Sequence, residues 1–213
     1  MQSKLASLGF WRFIWRCCQV LLERWRFIWW GVVANLFLRV HPAVTCSGWV
    51  TVTGPVVWRL DPRGRLSIGK NVRLHSGHAI NSVGGHRRLI LALGPAGVLI
   101  LEDGCGISSS TIVCRERIRI GAGAMIGGGC QILDSDFHSI LANERALPGN
   151  PGALTAPVDI GERAFVGTGV MILKGGRVGL ESIVGAGSVV TGTVGDGEVW
   201  AGNPARRIRE KTA

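Results

Sequence analysis

The sequence predicts an all-β protein coiled as a β-helix of six-residue repeats, and three observations predict it. Aliphatic residues recur at every sixth position, first as Val44, Val50, Val56, Ile68, Leu74 and Ile80, with Pro62 breaking the run. The interval returns as Leu101, Ile107 and Val113, then as Ile120, Ile126 and Ile132, and runs unbroken through Ile160, Val166, Ile172, Val178, Val184 and Val190. Such spacing is neither the period of two of a simple strand nor the 3.6 of a helix; it suits a prism whose faces each turn one aliphatic residue inward. Second, the 213 residues include 32 glycines with no collagen-like triplet. Segments such as IGAGAMIGGG place glycine directly after an aliphatic residue, where corners between short strands need positive φ. Third, helix formers are sparse beyond residue 44.

Residues 1–43 are different in kind and form a separate N-terminal segment. They carry Trp11, Trp15, Trp25, Trp29 and Trp30, five of the eight tryptophans. Arg12, Arg16, Gln19, Glu23 and Arg26 are spaced four, three, four and three apart, so a helix would gather them into one narrow polar stripe. Charges interrupt any signal-peptide core, and the longest charge-free stretch, Phe27 to Leu38, is 12 residues, short of the roughly 20 that a spanning helix needs. The expectation is an amphipathic helix over residues 10–38. It either lies on an anionic membrane surface, where tryptophan and arginine are at home, or packs on the open end of the prism.

The acyclic body begins at Val44 and extends through 213 as one domain, with the repeat itself ending near Gly197 and small insertions expected around 81–100 and 114–119. The large interruption is residues 134–157, DSDFHSILANERALPGNPGALTAP. So long a loop inside a compact repeat is usually functional. In the tail, 201–213, Asn203 as N-cap and Pro204 in the first turn predict a short C-terminal helix closing the far end.

A formal charge of +10 directs attention to phosphorylated ligands or anionic membranes. No nucleic-acid motif is present, and no nucleic-acid partner is expected. The six cysteines show neither a CxxC pair nor zinc-finger spacing, so they read as reduced thiols in a cytoplasmic protein, peripheral on the inner face of the membrane if the N-terminal helix binds there.

The ordered motifs ILDSDFHSI, APVDIGERAFVGTGVMILKGGRVG, SIVGAGSVVT and VWAGNPARRIR resemble the maltose/galactoside O-acetyltransferase branch of the hexapeptide acyltransferases. The resemblance covers about residues 66–210 and leaves out 1–43. It implies a left-handed parallel β-helix, a homotrimer with acetyl-CoA bound between subunits, a carbohydrate acceptor, and no metal. It also implies His138 as the base that removes the acceptor hydroxyl proton, work to which imidazole is suited. Asp134 and Asp136 either orient that imidazole or cap the turn into the loop.

On the donor side, the resemblance implies CoA contacts from Gly167, Thr168, Ala186 and Thr191, with the Gly167 amide as an oxyanion donor. Arg206 and Arg209 match the basic residues that meet CoA phosphates. Three positions depart from the pattern: Gly192 stands where lysine is common, Phe165 where tryptophan is common, and Ser108–Ser110 where relatives carry an asparagine toward the acceptor. The implied activity is acetylation of a sugar hydroxyl on a surface polysaccharide or its lipid-linked precursor. Two other classes use such a fold, a non-catalytic scaffold and a γ-type carbonic anhydrase, the latter requiring three zinc-binding histidines.

Overall fold

The structure, a computed structural model, describes residues 2–77, 86–149 and 151–210. One helix, α1 (Gln2–Val40), precedes a coil of short strands. The first turn of the coil is β1 (Val44–Cys46), β2 (Thr51–Thr53) and β3 (Val57–Leu60), and the second is β4 (Arg65–Ile68), β5 (Arg73–His75) and β6 (Ile90–Leu93). Then come β7 (Val98–Leu101), β8 (Gly106–Ser108) and β9 (Thr111–Cys114), followed by β10 (Arg117–Ile120), β11 (Met125–Ile126) and β12 (Gln131–Leu133). After the loop the coil resumes with β13 (Val158–Ile160), β14 (Phe165–Val166) and β15 (Met171–Ile172), and then β16 (Arg177–Val178), β17 (Ile183–Val184) and β18 (Val189–Val190). A last partial turn holds β19 (Thr193–Val194), β20 (Glu198–Gly202) and β21 (Ala205–Glu210).

Each strand pairs in parallel with the strand three places on, which generates three sheets. Sheet A runs β1-β4-β7-β10-β13-β16-β19, sheet B runs β2-β5-β8-β11-β14-β17-β20-β21, and sheet C runs β3-β6-β9-β12-β15-β18. The chain passes A, B, C in that order, so the prism has three long edges, AB, BC and CA. A left-handed coil fits this arrangement.

The inward stacks follow the register. Ile68, Leu101, Ile120, Ile160, Val178 and Val194 form one column in sheet A; Leu74, Ile107, Ile126, Val166 and Val184 form another in sheet B. All are buried, each contributing about 1.5–3 kcal/mol of transfer free energy. The one-residue-per-face expectation needs correction, because each face turns in a second residue two positions earlier. That second lane holds Leu66, Leu99 and Ile118 in sheet A and the smaller Cys105, Ala124, Ala164 and Ser182 at the AB edge. Val44, Val50 and Val56 belong to it, while Cys46, Val52 and Trp58 pair with Ile68, Leu74 and Leu91 in the main lane. The six-residue count therefore changes lanes across Pro62. Val113 is a second correction: a shorter corner at Ser109–Ser110, with φ of 39° at Ser109, makes Ile112 the buried partner of Ile132. Ile80 and His78 lie outside the described residues, as does part of the first expected insertion.

The expected C-terminal helix is replaced by a strand. β21 returns antiparallel against β20 through Asn203 and Pro204, whose peptide bond is cis. Asn203 and Pro204 therefore serve a hairpin turn. The physical reason is that β20 would otherwise end sheet B with unpaired backbone groups, and a return strand satisfies them where a helix would not.

At the opposite end, the last turns of α1 close the prism. Ala34, Asn35 and Leu38 are buried, and Asn35 acts as a surrogate strand. Its side-chain amide donates to the Val50 carbonyl at 2.8 Å and accepts the Val50 N–H at 3.0 Å. Upstream the helix leaves the body, and Phe10, Trp11, Phe13, Trp15, Trp25 and Trp29 are all exposed. Among the described residues no helix is long and apolar enough to cross a membrane.

Candidate active site

The loop that interrupts the coil emerges from the CA edge after β12. Its base is a short antiparallel bridge between Ser135 and Thr155, flanked by Asp136 N–H to the Leu154 carbonyl (3.0 Å) and Ala156 N–H to the Asp134 carbonyl (3.0 Å). Gly175, on the coil turn that follows the loop, donates to the Ala156 carbonyl at 3.2 Å, tying the base to the prism. Further out, a single helical turn, α2 (Ala142–Arg145), is held by Ser139 to Glu144 at 2.5 Å and by Arg145 to the Ile140 carbonyl at 2.7 Å.

His138 follows this base directly and is exposed. The residue before it, Phe137, has φ of 63°, a conformation that side chains other than glycine, asparagine and aspartate rarely adopt. Such strain persists where surrounding structure over-determines it, often at functional sites. Here the Phe137 N–H is caught by Ser135 Oγ at 3.1 Å.

Of the two aspartates, Asp134 is fully buried, and its carboxylate accepts the Arg115 N–H at 2.8 Å and the Glu116 N–H at 2.8 Å. It clamps the corner between β9 and β10, which is the turn-capping alternative, and leaves no support for an orienting role. Together with burial, its charge helps push the neighbouring Cys114 thiol up to about 12. Asp136 is half-exposed and pairs with Lys174 Nζ at 3.4 Å. Lys174 escaped the sequence reading; its only signal was a lone cation in ILKGG.

The donor-side candidates divide between two edges. Thr168 and Ala186 occupy consecutive turns of the BC edge, linked by the Gly187 N–H to the Thr168 carbonyl at 2.8 Å. Gly167 shares that edge, but its amide donates to the Val184 carbonyl at 2.8 Å, so the oxyanion role expected of that amide is corrected: the backbone ladder already holds the hydrogen. Its value lies in having no side chain, since a Cβ there would stand 2.7 Å from the Ala186 nitrogen. Thr191 is exposed on the CA edge, the edge of His138, and not beside Thr168.

Arg206 and Arg209 meet on one face. They pair with Ala201 and Val199, two residues apart, because a register shift between Val199 and Trp200 alters the strand's alternation. Arg207 opposes Trp200 instead and pairs with Glu198 at 3.2 Å. Val199 continues the column Met125, Phe165, Ile183, so Arg206 and Arg209 top the outer face of sheet B. Among the described residues neither enters an ion pair.

Ser109 and Ser110 are buried and structural; Ser110 Oγ accepts the Cys130 N–H at 3.0 Å. Cys105, Cys114 and Cys130 are free thiols in the core. No group of three or more His, Cys, Asp or Glu side chains among the described residues could hold a metal ion.

Fold and loop together define a hexapeptide-repeat β-helix with a histidine presented on one edge. No protein-family model matches the chain. Its homologues are named as acetyltransferases. WbbJ of Escherichia coli K12, provisionally named a lipopolysaccharide biosynthesis O-acetyl transferase, is 30% identical over 120 residues, 54% of this chain and 61% of WbbJ. Galactoside O-acetyltransferase of the same organism is 43% identical over 54 residues, 25% of this chain and 27% of that protein. The chain thus matches less than two thirds of either relative's length. Among solved structures, AntD, an N-acyltransferase from Bacillus cereus crystallised with dTDP-4-amino-4,6-dideoxyglucose and coenzyme A, superposes with a TM-score of 0.66 at 19% identity, covering 84% of this chain and 90% of AntD. The hexapeptide-repeat acetyltransferase VCA0836 from Vibrio cholerae, complexed with acetyl coenzyme A, gives 0.54 at 18% identity over 84% of this chain and 76% of that one. In fold, this chain matches the hexapeptide-repeat acyltransferases, and its sequence relatives are acetyltransferases.

Proposed function

We propose that the protein transfers an acetyl group from acetyl-CoA to a carbohydrate hydroxyl, on a surface polysaccharide or its lipid-linked precursor. The observation that carries this reading is the pairing of a histidine-bearing edge loop with a second edge that ends at two unpaired arginines. The printed activities of WbbJ and galactoside O-acetyltransferase favour oxygen as the acceptor atom, and the CoA complexes of AntD and VCA0836 favour the donor.

In the mechanism, His138 removes the hydroxyl proton as the acceptor oxygen attacks the thioester carbonyl. The C–S bond then breaks, and the imidazolium returns its proton to the CoA sulfur. No acyl-enzyme forms. His138 on the CA edge and Thr168 with Ala186 on the BC edge cannot face one another across a single prism. We place the complete site where the CA edge of one copy meets the BC edge of the next, a head-to-tail contact that three copies close into a ring. Pantetheine would lie along Thr168 and Ala186, with the CoA phosphates at Arg206 and Arg209.

Release of CoA thiol from acetyl-CoA, followed across a panel of sugars, amino sugars and glycolipids, tests the activity; no acceptor-dependent release from any of them would defeat it. Replacing Arg206 and Arg209 together by Ala is expected to raise the KM for acetyl-CoA by about tenfold or more while leaving kcat close to wild type. An unchanged KM would remove the phosphate assignment.

The exposed aromatic half of α1 is proposed to rest on the cytoplasmic face of an anionic membrane, near a lipid-linked acceptor. Trp11, Trp15, Trp25 and Trp29 are each 65–69% exposed, and Arg12 and Arg16 lie among them. A variant lacking residues 1–27 keeps the docking residues Ala34, Asn35 and Leu38. It is expected to stay in the supernatant when phosphatidylglycerol vesicles pellet the full-length protein. Equal pelleting of both would overturn the membrane contact.

A further inference from the structure

A groove of about 340 Å³ opens on the outer face of sheet B, below the proposed donor track. Register explains it. Arg73, Gly106, Met125 and Phe165 stack in successive turns. Gly106, having no side chain, leaves a gap between its neighbours. The Arg73 guanidinium borders that gap, with Nε and Nη2 each 3.9 Å from where a Gly106 Cβ would stand. His75 and Ser108, paired across adjacent strands, line the side toward the BC edge.

The lining contains a cation, an imidazole and a hydroxyl, and no carboxylate. Arg73 enters none of the ion pairs among the described residues. His75 is held by Thr53 Oγ at 2.6 Å, and burial, then the charge of Arg73, lower its pKa. It therefore offers a neutral imidazole beside a fixed positive charge. Met125 and Phe165 add a partly exposed apolar wall of the kind that receives the C–H face of a sugar ring. The groove also reaches Gly127, over which the Thr168 backbone packs, so its upper end abuts the proposed pantetheine track.

We propose that this groove is the acceptor subsite and that it selects a sugar carrying an anionic group, a phosphate or a carboxylate, held by Arg73 with Ser108 and His75 in support. This deepens the transferase reading and rests on it for the position of the reacting hydroxyl. Guanidinium geometry matches either oxyanion.

The test is calorimetric titration of the full-length protein, wild type and Arg73→Met, with glucose 1-phosphate, glucuronate and glucose. At least one of the anionic sugars is expected to bind wild type about tenfold or more tightly than glucose, and Arg73→Met is expected to lose that advantage. Whichever anion binds identifies the group. Because Arg73 is exposed, the variant should fold, and Arg73→Lys, which keeps the charge, should retain part of the preference. No saturable binding of either anion, equal affinity for glucose, or full anion affinity in Arg73→Met would each overturn the proposal. Binding is read without turnover. Anion-selective binding in a protein that transfers no acetyl group would therefore leave the subsite standing and remove the transferase.

Discussion

Replacing His138 by Ala is expected to lower kcat by about two to four orders of magnitude, the usual contribution of a positioned general base. The KM for acetyl-CoA should change little, because the residues proposed to hold the donor lie on another edge of the prism. The same geometry makes a sharper demand. If the site forms between copies, His138→Ala and the Arg206→Ala/Arg209→Ala variant damage different subunits of one site. Co-expressed, they should assemble some sites with both defects and some with neither. At donor concentrations where each parent is nearly silent, the mixture should recover a measurable fraction of wild-type rate. A mixture no more active than its parents would show that one chain carries both halves. Full activity in His138→Ala would remove the base itself.

The second large effect is on stability. Gly167→Ala adds a methyl group whose carbon would stand 2.7 Å from the Ala186 nitrogen, 2.9 Å from the Val184 oxygen and 3.1 Å from the Ala186 Cα. All three are backbone atoms of the next turn and cannot swing aside. Relief requires spreading two turns of the coil, at about 1–3 kcal/mol. Gly192→Ala is the matched control, since a Cβ there meets nothing within 4 Å. Urea or thermal unfolding at one protein concentration should show Gly167→Ala clearly destabilised and Gly192→Ala near wild type. Equal stability of the two would mean that the turns part more easily than close packing allows.

This pair also shows how legible the fold was. The column from Ile160 to Val190 was readable because its corners are of uniform length, so residue count and spatial register agree. Elsewhere the count misled. Two inward lanes exist, and a six-residue interval cannot say which lane it follows, so Val44, Val50 and Val56 fell in the second one. Ile112 displaced Val113 through one residue fewer at a corner. The glycines divide likewise. Gly123, after Gly121 in the same segment, has φ of 65°, whereas Gly121 is needed because the Glu162 nitrogen would lie 2.6 Å from its Cβ. Composition registers both alike.

By itself, the sequence determined the coil, the position of the loop that bears His138, the helical N-terminus and the basic end of the chain. These follow from local periodicity and from residue type, which act over a few neighbours. Only the tertiary structure decided which candidates share an edge. It placed Thr191 with His138 and Thr168 with Ala186, removed the Gly167 amide from the oxyanion role, and made Asp134 a buried clamp. It also turned the tail into a strand whose register shift sets Arg206 and Arg209 on one face, and opened the groove above Gly106. Each of these depends on how successive turns stack, and stacking joins residues far apart in the chain through backbone hydrogen bonds that no local pattern records.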